Sequence, residues 1–259
     1  MLLIHRLRMA IKPAALHFLC SVMVAIVVSL IIFLIWYPPP FDRLAGGRDL
    51  FLYIVIVDVL IGPLLTLLVY DAEKNRKSLI FDIRVIVVIQ LLALTYGVYS
   101  AAQARPVFMA YEGNRYRVVS APDIDRDAMV LASPEFNSLP MMGPKLLGVR
   151  LSESTDRDFP LSVQLSMSGL HSAFRPQRWV PYSSQLKEVR SALKTYESLL
   201  RRYPEKKSLL DASVSGCSKS LDEIGYLPIS AEKANPLDWV AFVNVQTGMP
   251  CGFFPLDGW

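Results

Sequence analysis

One carboxylate stands inside a long apolar run: Asp58, between Leu50 and Tyr70. A charged side chain in hydrocarbon costs a few kcal/mol even on insertion scales, so it must face protein, water or a partner. At 1.5 Å rise per residue, Asp58 lies roughly 12 Å below Leu50. On its own helix it shares a face with Gly62 and Thr66. Pro63 cannot donate to the carbonyl of Val59, so a kink and a freed acceptor sit beside the acid. In an antiparallel three-helix bundle, the same depth falls near Ser29 on the first apolar run. On the third it falls near Thr95, with Gln90 deeper. Three chemistries fit. The acid, protonated or hydrogen bonded, orders the bundle; or it grips a partner's transmembrane helix, with Gly62, Pro63 and Thr66; or it relays protons. A relay needs further titratable groups at depth, and the reading finds none. Gly97, between Ala93 and Ala101, adds a small-residue ridge where another helix can pack, from this chain or from a partner.

Elsewhere, catalytic chemistry has little to stand on. The region after residue 104 holds one histidine, His171, too few for a multi-histidine zinc site. It reads as an exposed loop residue. G-x-S-x-G, H-E-x-x-H, G-x-x-x-x-G-K-[ST] and G-x-G-x-x-G are all missing. Asp123, Asp125 and Asp127 alternate without the Gly and closing Glu of a calcium loop, and read as a polar turn. The expectation is a protein that is not an enzyme, with no metal, no cofactor and no small-molecule substrate.

These residues sit in two contrasting regions. The 259 residues are 53% hydrophobic and 19% charged, against roughly 45–50% and about 25% in soluble domains. The first 104 residues hold 9 of the 27 Lys+Arg and 6 of the 23 Asp+Glu. Three apolar runs there are near or above the ~20 residues that cross a ~30 Å hydrocarbon core. The chain divides into a lead at 1–13, a transmembrane domain at 14–104 with spans at 14–37, 50–70 and 85–102, and an outside domain at 105–259. The first run is too long for a cleaved signal peptide and reads as a retained anchor. Arg6, Arg8, Lys12, Lys74, Arg76, Lys77 and Arg84 flank one side, and only Arg43 and Arg48 the other. The positive-inside rule then places the N-terminus in the cytoplasm and the chain after Ala102 outside, in a bacterium the periplasm. The net charge of +4 divides as +3 and +1, so the outside domain has no basic field for nucleic acid.

In the outside domain, residues 107–111 and 115–119 read as a β-hairpin around a Gly-containing turn. Residues 126–182 read as loops with short elements. A helix is expected from Ser183 to Tyr203, with Leu186, Val189, Leu193, Tyr196 and Leu200 on one face. Its other side is basic through Lys187, Arg190, Lys194, Arg201 and Arg202, as a solvated face or a dock for an acidic partner. Residues 240–245 and 251–254 read as a final hairpin in a covered sheet. The expected fold is three transmembrane α-helices followed by a small periplasmic α+β domain with an antiparallel sheet. Cys217 and Cys251 both lie in this domain, where an oxidising compartment permits a disulfide. The alternative is two thiols too far apart to join.

Several segments resemble type IV pilin accessory proteins of the TfpX/TfpZ kind. These are Trp36-Tyr37-Pro38-Pro39-Pro40-Phe41, the loop motif Gly46-Gly47-Arg48 with Asp49-Leu50-Phe51, and Val57-Asp58-Val59-Leu60-Ile61-Gly62-Pro63-Leu64-Leu65-Thr66. Residues 90–94, 96–99, 104–107 and 115–119 continue the likeness, which covers most of residues 15–125. It returns at Tyr226-Leu227-Pro228 and Pro255-Leu256-Asp257-Gly258-Trp259. The resemblance implies an inner-membrane chaperone that assists its cognate major type IV pilin. Asp58, Gly62, Pro63, Thr66 and Gly97 are then the candidate residues for the pilin helix, and the outside domain for its head. A membrane-anchored sensor or regulator is the alternative. It would need a signalling output that the short inside loops do not hold.

Overall fold

The structure is a computed structural model. It describes residues 2–71, 74–218, 220–234 and 238–259, and the side chains of all of these but 2–5 and 7. The chain divides into two compact units: residues 1–38 with 47–104, and 39–46 with 105–259.

The first unit is helical. Among the described residues, three helices are long and apolar enough to cross a membrane: Arg8–Trp36, Gly47–Val69 and Arg76–Ala104. They are called spans one to three below. Each extends beyond its apolar run, because charged flanks continue the helix once its hydrogen-bond ladder is nucleated. Span one is an α-helix, α1 (Leu2–Ile31), that ends in a π-helical turn at Ile32–Trp36. A short α2 (Phe41–Leu44) belongs to the second unit. Span two is α3 (Gly47–Val55), a π-helical stretch at Ile56–Ile61, and α4 (Gly62–Val69). Span three is α5 (Arg76–Gln103), capped by the Asn75 side chain accepting from the Lys77 amide at 3.1 Å. Arg6 donates to the Leu68 carbonyl at 2.7 Å, and Lys74 pairs with Asp82 at 2.9 Å. The first of these satisfies a terminal carbonyl of α4 with a cation at the negative end of its dipole.

The second unit is a mixed sheet with helices. Its strands are β1 (Pro106–Tyr111), β2 (Tyr116–Ser120), β3 (Lys145–Val149), β4 (Trp179–Val180), β5 (Lys194–Thr195), β6 (Ile224–Ser230), β7 (Trp239–Asn244) and β8 (Pro250–Phe254). The order is β4-β3-β1-β2-β6-β7-β8, with β5 also on β6. Both expected hairpins form, β1 with β2 and β7 with β8. The sheet is not antiparallel throughout: β1 runs parallel to β3, and β2 parallel to β6. Long crossings through residues 121–144 and 121–223 allow this, since parallel neighbours need a connection longer than a hairpin turn. Strand β6 is central although it contains Pro228. Pro228 falls between the residues that pair with β5 (Gly225, Tyr226) and those that pair with β2 (Ile229, Ser230), so its missing N–H removes no rung there.

The helix expected over 183–203 is divided. A 3-10 turn at Tyr182–Gln185 leads into α7 (Leu186–Ala192), and α8 (Tyr196–Arg202) follows β5. Leu193 turns extended, Lys194 and Thr195 pair with Tyr226 and Gly225, and the Thr195 hydroxyl caps α8 by accepting from the Ser198 amide at 3.3 Å. The basic residues therefore do not form one face. Lys194 donates to the Gly258 carbonyl at 2.7 Å, and Arg202 pairs with Asp257 at 2.5 Å, holding the C-terminal tail.

Two cores hold the sheet. One joins Val107, Phe108, Val119, Leu147, Phe174 and Trp179. The other packs α8 and α9 (Lys207–Val214) on β6 and β7 through Leu199, Leu210, Ile224 and Phe242. α6 (Phe159–Met167) stands outside both, with Met167 84% exposed.

Candidate functional site

Asp58 lies in the π-helical stretch of span two and is 7% exposed. In a π register, the acceptor for residue 63 is the carbonyl of residue 58. Pro63 has no N–H to give it. The Gln90 side chain of span three supplies the missing donor, Nε2 to the Asp58 carbonyl at 2.9 Å. Gly62 makes room for this: a Cβ there would stand 1.9 Å from Gln90 Nε2. The Asp58 carbonyl is thus an acceptor that a neighbouring helix fills.

The carboxylate is left over. Both Asp58 oxygens are buried and have no hydrogen-bond partner among the described residues, nor has Gln90 Oε1. The two other expected partners are satisfied within their own helices. Ser29 donates to the Ile26 carbonyl at 2.8 Å and Thr95 to the Leu91 carbonyl at 2.7 Å. The helix of span two begins at Gly47, nearly a turn before Leu50.

Asp58 lines a cavity of about 170 Å3. Span one contributes His17, Cys20, Ser21 and Val24, and span three Val87, Gln90, Leu91 and Leu94. The two walls meet at one end of the unit, where Tyr37 Oη donates to the Ala101 carbonyl at 3.0 Å. Val24 is 43% and Leu91 55% exposed, so the rim faces outward. His17, a second titratable residue among those lining the cavity, has its Nδ1 hydrogen bonded to Thr66 Oγ1 at 2.6 Å. A histidine within an apolar run is the signal that could have found it.

The remaining residues singled out from the sequence have contacts inside their units. Thr66 is buried against His17, and Pro63 is buried at the start of α4. Gly97 faces Ile54, with 2.8 Å from a would-be Cβ to Ile54 Cγ1. Gly46 turns with a positive φ of 70°. Gly47 lies under the Tyr37 ring, where a Cβ would stand 2.3 Å from Cδ1. Arg48 is exposed. Cys217 and Cys251 are joined in a disulfide with Cα atoms 5.2 Å apart, and Cys20 is free. Asp123 accepts from the Ser120 amide at 2.9 Å and Asp125 from the Ala128 amide at 3.3 Å, the polar turn expected.

In the second unit, a surface concavity of about 520 Å3 is lined by Glu112, Arg115, Arg117, Leu151, Ser166 and His171, among others. Arg117 is already paired with Glu112 at 2.9 Å. His171 is half-buried rather than exposed, with its ring edge-on to Phe174 at 5.7 Å. Burial, and then Arg117 beside it, hold His171 below its ordinary 6.5. The fold therefore favours neutral imidazole. Above 6.5 neither state is protonated. As pH falls below that value the unfolded chain takes up a proton that the folded one refuses, and stability is lost down to the folded value. The thermal midpoint is expected to fall more steeply for wild type than for His171→Gln from about pH 7 to about pH 5. Equal slopes would refute the assignment.

Comparison with known proteins bears on what this arrangement serves. A family model described as "Fimbrial assembly protein FimB" matches residues 5–46. The chain is 33% identical over 256 residues to "Fimbrial assembly protein, serogroup I" of Dichelobacter nodosus, covering 97% of this chain and 98% of that one. The chain belongs to the fimbrial assembly protein family. A serogroup E1 member from the same organism is 32% identical with the same coverage. A serogroups C1 and C2 member is 39% identical over 124 residues, 48% of this chain and 95% of that protein. No solved structure matches. In this family member, the stretch matched by the model contains the whole contribution of span one to the Asp58 cavity.

Proposed function

We propose that this fimbrial assembly family member is an accessory protein of the TfpX/TfpZ kind that binds the cognate major type IV pilin and assists its stability or assembly. It resides in the bacterial inner membrane, with the N-terminus cytoplasmic and the second unit in the periplasm. Its role is that of a chaperone, without catalysis, metal or cofactor. The supporting observation is the similarity, over 97% of this chain, to fimbrial assembly proteins in a chain whose helical unit holds a buried carboxylate without a hydrogen-bond partner among the described residues. A pilin awaiting assembly also carries an apolar helix and a head outside the membrane, so the two layouts correspond. The head would meet the second unit, where Val130, Leu131, Met141, Met142 and Met167 are 61–86% exposed.

The test is co-purification. Affinity-tagged protein drawn from detergent-solubilised membranes is expected to bring the major pilin with it, and cells lacking the gene are expected to lose surface fimbriae. Normal fimbriation without the protein, or no pilin in the eluate after mild crosslinking, overturns the reading.

A further inference from the structure

The Asp58 cavity is too small for a helix and large enough for one side chain. Its volume of about 170 Å3 is comparable to engineered cavities of ~150 Å3 that hold a benzene. Its wall is apolar except around Asp58, Gln90, Ser21 and the His17–Thr66 pair. Every polar side chain of this chain that was expected near the carboxylate is engaged elsewhere: Ser29 and Thr95 with their own helices, and Gln90 with the Asp58 backbone. A buried acceptor left unmade costs more than a made hydrogen bond returns, so the site favours an occupant that supplies a donor.

We propose that the cavity between spans one and three receives a single donor-bearing side chain from the apolar helix of the fimbrial subunit, hydrogen bonded to the Asp58 carboxylate. This rests on the reading that the protein handles that subunit, and it names the recognition chemistry. Asp58 is the middle residue of the Gly47–Val69 span. The donor, an N–H or O–H group, therefore sits near the middle of the subunit's helix, flanked by small or aliphatic residues that pack on Val24, Leu91 and Leu94. In this arrangement the subunit supplies a fourth helix between spans one and three, and the paired donor and acceptor set its depth. Subunits without a donor at that depth are rejected, because they would seal the carboxylate in unpaired.

Cys20 lines the cavity and is the free cysteine among the described residues, so it serves as the reporter. Single cysteines are walked along the middle of the subunit's apolar helix in cells making the full-length protein, and membranes are oxidised. Disulfides to Cys20 are expected at positions spaced by three and four residues, on one face. Asp58→Leu is expected to lower that crosslink about tenfold to a hundredfold, as leaving the subunit's donor buried and unpaired implies. Leu94→Trp, which fills the cavity and keeps the acid, is expected to do the same. Protein level and an intact Cys217–Cys251 bond confirm folding of both variants. If pilin still co-purifies but no position joins Cys20, or if Asp58→Leu crosslinks as wild type does, this proposal fails while the assembly role stands. Cys20–Cys20 dimers, or labelling of Cys20 by a lipid-borne probe unaffected by the subunit, would make the occupant a second copy or lipid and overturn it. Loss of co-purification from the wild-type protein would instead remove the underlying reading.

Discussion

Arg117→Met is expected to destabilise the second unit by about 3–5 kcal/mol, the range for removing one partner of a buried ion pair. The Arg117 and Glu112 side chains are only 5% and 9% exposed and meet at 2.9 Å. Glu112 Oε1 also accepts from the Ala173 amide at 3.3 Å, which ties the β1–β2 turn to the segment before Trp179. Methionine keeps much of the arginine's apolar bulk beside Phe174, so the change isolates the charge. It takes from the Glu112 carboxylate its 2.9 Å partner and leaves it the Ala173 amide, in a concavity it shares with Arg115 and His171. The other acid near Arg117 is Glu232, at 3.8 Å and 64% exposed, which water serves without help. The double variant Glu112→Gln with Arg117→Met is expected to recover more than half of the loss, because no buried charge remains. Thermal unfolding of the solubilised protein and a double-mutant cycle check both statements. A single-variant cost under about 1 kcal/mol would place the pair among surface ion pairs and refute the argument.

Removing the Cys217–Cys251 bond is expected to cost about 3–4 kcal/mol, from the loop-closure entropy of a link spanning some 35 residues. Cys217 follows α9, and Cys251 lies on β8 at the end of the sheet order. The bond therefore holds the covering helix to a strand that is paired on one side only. Without it, β8 keeps its pairing with β7, and α9 its packing through Leu210 and Val214 and the Tyr196–Asp211 hydrogen bond. The variant with both cysteines changed to alanine, and wild type in reductant, should show the same lowered midpoint. Cys20 is unaffected in either case. The same experiment reports the compartment, since such bonds persist on the oxidising side of the membrane. Full alkylation of both thiols in protein from unreduced cells would sink the bond and the periplasmic placement with it.

The two hairpins were legible because each carries a local signal, a turn residue between runs of β-formers. The division of 183–203 was not. Its leucines keep helical spacing through Leu193, and only the pairing of Lys194 and Thr195 with the distant Tyr226 and Gly225 breaks the helix. That is a tertiary contact overriding a local pattern. Strand β6 was hidden for a related reason: a proline normally argues against a central strand, and the gap between β5 and β2 that admits Pro228 exists only once the sheet is assembled. The parallel pairings likewise depend on which strands meet after long connections.

At the candidate site the division is sharper. Asp58, Gly62, Pro63 and Gln90 were visible as unusual residues in apolar runs, because hydrocarbon penalises polar groups and each must have a reason. The π-helical stretch around Asp58 was not visible, and neither was the use of Gln90 to serve the Asp58 carbonyl. The partner of His17 has no local signal, since Thr66 lies 49 positions away. By itself, the sequence places three apolar runs long enough to cross a membrane in the first 104 residues, a cysteine pair in the more polar remainder, and an acid that needs an explanation. These follow from composition and short-range periodicity. Only the tertiary structure decided that the acid is left unpaired in a cavity walled by spans one and three. Helix register, and the choice of partner for each donor, are settled by packing between segments far apart in the chain.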